Sequence, residues 1–182
     1  MKKFLSKSLI GFGFICIILT VFLYWQRTTP KRLKFNIDTV NSNSSISNTK
    51  IYPKVLIIKD LGIKLEIYPT EIKNGRWQAT SKGVSYLATS PVPADVGNSI
   101  LYGHNWRSLL GGLVNAKPGQ EVEIIFSDGT SKRFVIQYTQ VVTPDQTEIL
   151  ENTEDRRITL YTCTGFLDSK RFVITAIYQN PV

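Results

Sequence analysis

The stretch that decides how this chain is read runs Arg157-Ile158-Thr159-Leu160-Tyr161-Thr162-Cys163 and, after seven intervening residues, resumes as Arg171-Phe172-Val173-Ile174. Both pieces are rich in β-branched and aromatic residues, the composition of strands. Cys163 closes the first strand and Arg171 opens the second, so antiparallel pairing brings them together across the loop. Alternation puts Cys163 on one face with Tyr161 and Thr159, while Thr162 points the other way; Arg171 shares its face with Val173 and Thr175. Cys163 is the only cysteine outside an N-terminal apolar run, and His104 is the only histidine. A thiol and an imidazole are what nucleophilic acyl transfer requires, one to attack and one to protonate the leaving amine. A guanidinium fork can hold the oxyanion or the substrate backbone, which an ammonium does less well. Each residue alone has a plainer reading: a buried small thiol, a core histidine, a solvated arginine. The set, in this order, points to chemistry.

Outward from that hairpin the chain continues as short strands with turn punctuation, the pattern of a mostly all-β barrel or sandwich. Val55–Ile58 and Ile63–Ile67 flank Asp60-Leu61-Gly62 as a hairpin, and Val122–Phe126 and Lys132–Val142 are joined across Asp128-Gly129. Ser99–His104 reads as a strand ending at the histidine. Leu109–Ala116 and Glu148–Glu154 are the two short helical candidates. Where His104 lies relative to Cys163 is not legible from this pattern.

The string Thr159-Leu160-Tyr161-Thr162-Cys163, with His104 in Leu101-Tyr102-Gly103-His104-Asn105-Trp106 and Arg171 opening the last strand, resembles the sortases, bacterial surface cysteine transpeptidases. The likeness runs from about Val55 to Tyr178. It implies a closed sortase-type β-barrel with one or two short helices behind an N-terminal transmembrane helix, and it places the strand of His104 beside that of Cys163. It also implies the roles: Cys163 as nucleophile, His104 as general acid and base, and Arg171 as the group that steadies substrate or oxyanion. Thr162, Asn105 and Trp106 are supporting candidates, the first through its hydroxyl or backbone, the others by abutting the histidine. The implied reaction cleaves a C-terminal sorting motif of the Leu-Pro-any-Thr-Gly kind through a thioacyl enzyme. The protein is then passed to an amine of a cell-wall precursor or a pilin. The chain carries no second apolar span after Gln179, which argues against the pilus-polymerising class. A plain cysteine endopeptidase using water, and a catalytically idle surface-binding barrel, are the rival readings.

Residues 1–34 read as a signal anchor. Leu9–Trp25 carries no charge and is about as short as a spanning helix can be. Lys2, Lys3 and Lys7 precede it, and Tyr24 and Trp25 close it as an interfacial belt. No Ala-x-Ala-type cleavage site follows. The expected location is the bacterial cell membrane, single-pass, with the catalytic domain outside. Residues 35–50 are polar and turn-rich, a flexible linker, and residues 51–182 form the catalytic domain. The formal charge of +8 invites a nucleic-acid reading, but seven of the basic residues lie in 1–34, where there is no acid. That basicity suits lipid headgroups, and the folded part shows no basic stripe for nucleic acid.

No cofactor is expected. Some sortases bind calcium near the loop before the cysteine strand, where Asp145, Glu148, Glu151, Glu154 and Asp155 cluster here. Their spacing is not that of a dedicated calcium loop, so a solvated acidic turn is the reading. With ordinary pKa values, roughly 3% of Cys163 is thiolate and roughly a quarter of His104 is imidazolium at pH 7. A site exposed at the end of a hairpin stabilises a lone ion pair poorly. Slow turnover and a bell-shaped pH profile with limbs near the free values are therefore expected.

Overall fold

Each barrel strand turns an apolar face inward, and a sheet of such strands buries those faces by closing on itself. The computed structural model describes residues 2–28, 33–36, 51–73 and 76–180. Strands β1 (Pro53–Ile58) and β2 (Ile63–Thr70) form the first hairpin, reversed by a 3₁₀ turn at Lys59–Leu61 and by Gly62 at φ 64°. β3 (Ile72–Lys73) and β4 (Arg76–Trp77) make a separate two-stranded hairpin. β5 (Val84–Leu87) and β6 (Gly97–Gly103) follow, then the long hairpin of β7 (Glu121–Phe126) and β8 (Ser131–Val142) across Asp128-Gly129. β9 (Arg156–Thr164) and β10 (Lys170–Tyr178) end the fold. The barrel closes in the order β1-β2-β5-β6-β9-β10-β8-β7, antiparallel except at β2–β5 and β6–β9.

Alternation gives β9 and β10 two buried faces. Inward, Ile158, Leu160, Ile174 and Ala176 join Leu101 and Phe134 in the barrel core. Outward, Tyr161, Cys163 and Val173 join Tyr102 of β6 in a second apolar cluster. Segments outside the barrel roof this cluster: Leu33 and Phe35, Trp77 of β4, and Leu150. The two helical candidates are 3₁₀ turns, at Leu110–Asn115 and Glu148–Leu150. Both are short, and the first is interrupted by Gly111-Gly112, which disfavours an α-helix.

The N-terminal segment forms one helix, α1 (Lys2–Thr28), whose apolar residues from Leu9 to Trp25 are mostly exposed. The expected transmembrane span is corrected: among the described residues no helix is long and apolar enough to cross a membrane. The uncharged run of 17 residues makes about 25 Å of helix, against a hydrocarbon core of about 30 Å. Most of the expected linker, residues 37–50, lies outside the described residues.

Candidate active site

The register of the last hairpin sets Cys163 directly opposite Arg171. By alternation both side chains point to the outer cluster. The expectation of an exposed site is corrected, because Cys163 is 4% and Arg171 3% exposed. Burying a guanidinium is costly unless its donors find acceptors. Three main-chain carbonyls supply them: Nη1 donates to Asp168 O (3.0 Å) and Lys170 O (2.9 Å), and Nη2 donates to Lys34 O (2.8 Å). The Phe35 ring lies 5.9 Å from the guanidinium carbon. Nε remains buried without a hydrogen-bond partner among the described residues. A buried donor left over in a cleft is a ready place for an incoming acceptor.

His104 reaches the same spot from the other side of β9. β6 runs parallel to β9 with Gly103 opposite Thr162, so the next residue, His104, emerges level with Cys163. Thr162 seals this junction by donating its hydroxyl to Gly103 O at 2.8 Å. The strand ends at Gly103, one residue earlier than the sequence suggested. Beyond it the chain folds back on itself: Leu110 N donates to His104 O, and Gly111 N to Trp106 O. A Cβ on Gly111 would sit 2.7 Å from Trp106 O and 2.8 Å from Asn105 O, so the turn requires glycine there. The imidazole stacks on Trp106, centroids 4.5 Å apart and 12° between planes. Burial, only partly offset by the Asp168 charge, lowers the His104 pKa below its ordinary value. The acid limb expected near the free histidine value is therefore moved down.

Asn105 Nδ2 donates to Asp168 Oδ1 at 3.0 Å, which ties the histidine loop to the loop between β9 and β10. In that loop Gly165 (φ 78°) is followed by Leu167 (φ 52°) and Asp168 (φ 60°), both in the left-handed region. Phe166, beside them, is 86% exposed. Asp168 was not among the residues singled out in the sequence. A polar residue in a short loop between two site strands is the only signal that could have marked it.

The roof was not legible either. Leu33 and Phe35 are fully buried, with Tyr161 donating its hydroxyl to Leu33 O at 3.1 Å and Asn36 N to Pro144 O at 2.8 Å. Phe35 meets Tyr161 edge-on at 5.0 Å, and Tyr161 stacks on Tyr102 at 5.4 Å. Tyr102 donates to Gln78 O, and burial pushes its phenol up to about 12. The alternation in Leu33-Lys34-Phe35 was the available signal, hidden in a run of basic residues. No group of three or more His, Cys, Asp or Glu side chains among the described residues is placed to hold a metal. Of the acidic cluster, Asp155 pairs with Arg157 and Thr153.

The register thus brings a thiol, an imidazole and a guanidinium to the ends of three adjoining strands, β9, β6 and β10, of a closed barrel. The family model of the sortase domain matches residues 56–178, and the chain belongs to the sortase family, whose members join proteins bearing sorting signals to amine acceptors. Among solved structures, sortase C-1 from Actinomyces oris matches at 21% identity and TM-score 0.63, covering 82% of this chain and 89% of the other. Sortase C1 from Streptococcus agalactiae matches at 21% and TM-score 0.61, covering 77% and 74%. Listeria monocytogenes sortase A matches at 20% and TM-score 0.56, covering 70% and 86%. At these identities the likeness concerns the fold. Comparison with curated proteins gives no match.

Proposed function

We propose that this chain is a thiol transpeptidase acting on surface proteins with a Leu-Pro-any-Thr-Gly-like C-terminal motif. The observation that carries the reading is the pairing of Cys163 with Arg171 across β9 and β10, with His104 emerging beside them from β6. Cys163 Sγ attacks the carbonyl carbon of the scissile bond, and the C–N bond breaks to leave a thioester. His104 gives its proton to the departing amine. An incoming amine, from a cell-wall precursor or a pilin, loses a proton to His104 and attacks the thioester. A new amide forms and the thiolate is released. Arg171 supplies donors to the substrate carbonyl, and its unpartnered Nε supports that role. The lowered His104 pKa reduces the share of imidazolium at neutral pH. Turnover is accordingly slow. Leu33 and Phe35 share the buried cluster of Cys163, and substrate reaches the thiol as this segment leaves.

Helix α1, with its exposed apolar surface and flanking lysines, supports attachment to the bacterial cell membrane with the barrel outside. Co-sedimentation of the full chain with lipid vesicles tests this, with the chain expected in the vesicle pellet. The test of the reaction is incubation of the full chain with sorting-motif peptides, with and without a small amine. Peptide–amine conjugate is expected only when amine is present. Products that are identical in both arms would make it a hydrolase, and no product with any peptide would make it an idle module.

A further inference from the structure

We propose that Asp168 is a positioning residue of this site, tying the His104 loop and Arg171 to one point on the β9–β10 loop. The inference rests on the transpeptidase reading for its catalytic meaning and on the structure alone for its geometry. Asp168 serves each neighbour with a different part of itself. Its carboxylate accepts from Asn105, the residue after His104, at 3.0 Å, and its main-chain carbonyl accepts from Arg171 Nη1 at 3.0 Å.

The backbone that presents these two acceptors is strained. Leu167 and Asp168 are consecutive non-glycine residues at φ 52° and 60°, a left-handed pair that L side chains adopt at a cost. Such strain persists where surrounding contacts over-determine it. Here Asp168 N donates to Gly165 O and Ser169 N to Phe166 O, and the contacts from Asn105 and Arg171 close the loop over the site. Asp tolerates the left-handed region better than most side chains, so this residue type suits both the backbone and the task.

Asp168 also carries the charge that His104 needs. The charged and titratable groups on the elements around the imidazole are Cys163 at the end of β9, Asp168 and Lys170 in and after the loop, Arg171 on β10, and Arg107 on its own loop. Asp168 is the carboxylate among them, and its charge favours imidazolium, working against the desolvation that burial imposes. If thiolate and imidazolium are the reacting forms, the rate between the two limbs of the pH profile scales with the acidity constant of Cys163 divided by that of His104. Lowering the His104 pKa by one unit then moves the acid limb down by one unit and costs tenfold in the plateau.

The test uses the full chain and begins with Asp168→Asn. That change keeps the main-chain carbonyl, an acceptor for Asn105 and tolerance of positive φ, and removes only the charge. His104 is the sole histidine, so its ring resonance reports its titration without assignment, in an active or an inactive protein. The NMR titration midpoint is expected to fall in D168N and to return toward wild type in D168E. The plateau rate of transfer should drop severalfold, by the same factor as the His104 acidity constant rises, with KM within twofold. Asn105→Ala, which keeps the charge and removes the tether, should lower the rate with a smaller midpoint change. An unmoved midpoint in D168N would overturn the proposal whether or not the protein transfers peptides. If the midpoint falls as expected but no variant has transferase activity, the positioning stands and the transpeptidase reading fails.

Discussion

The hairpin of β9 and β10 has two buried faces, and they are buried by different means. Inward, Ile158, Leu160, Ile174 and Ala176 meet residues of other barrel strands, so their burial follows from barrel closure itself. Outward, Tyr161, Cys163 and Val173 are covered by pieces that belong to no barrel strand: Leu33 and Phe35, Trp77 and Leu150. The inner face is a core in the usual sense, and removing any part of it leaves a cavity. The outer face is a groove with a roof, and a roof made of separate segments can be moved without opening the barrel. The difference teaches that stability and chemistry are divided between alternate residues of the same two strands, and the predictions follow that division.

The largest effect belongs to the outer face. Cys163→Ala should lower cleavage and transfer by more than 10³-fold, over 4 kcal/mol in barrier, while the thermal midpoint stays close to wild type. Peptide cleavage kinetics beside a melting curve reads both, and residual transfer within about tenfold would break the division. Three residues back in the same strand, Leu160→Ala should do the reverse. It should cost about 2–5 kcal/mol of stability through the cavity left in the barrel, with kcat per folded molecule unchanged. Urea denaturation alongside active-site titration checks it. Arg171→Lys keeps the charge and loses the fork, and it should cost on the order of 10² in rate, the worth of one oxyanion donor. A near-normal rate would reduce Arg171 to a general positive charge.

The smallest effect concerns the roof. Phe35→Ala removes the ring that meets Tyr161 edge-on and lies against Arg171. Uncovering the groove should raise kcat/KM for peptide by about tenfold, since a site that must first open binds in proportion to its open fraction. A rate that stays level or falls would mean that residues 33–36 do not stand in the substrate's path.

What the sequence disclosed follows the same line. Seven of the eight barrel strands were legible, because period-2 alternation and turn residues such as Asp128-Gly129 are local signals, whereas β5, buried at all four residues, shows no alternation. The facing of Cys163 and Arg171 followed from their places at the two ends of one short loop. The place of His104 did not, because β6 and β9 are parallel neighbours separated by some fifty residues of chain, and only the family resemblance put them side by side. Asp168 escaped because its importance depends on two left-handed residues that no propensity announces. The roof escaped because Leu33 and Phe35 sit beside Lys31, Arg32 and Lys34, and the charge concealed a two-residue apolar alternation. That omission also explains why the site was expected to be exposed: the barrel alone leaves it open, and the roof closes it.

The most direct test of the central claim is the intact mass of the full chain, quenched in acid shortly after mixing with a sorting-motif peptide in the absence of amine. The account predicts a new species heavier by the acyl fragment of the peptide. It should be located on Cys163 by digestion, absent in Cys163→Ala, and discharged when amine is added. Peptide consumption without any such adduct, or an adduct that forms on another residue, would contradict it.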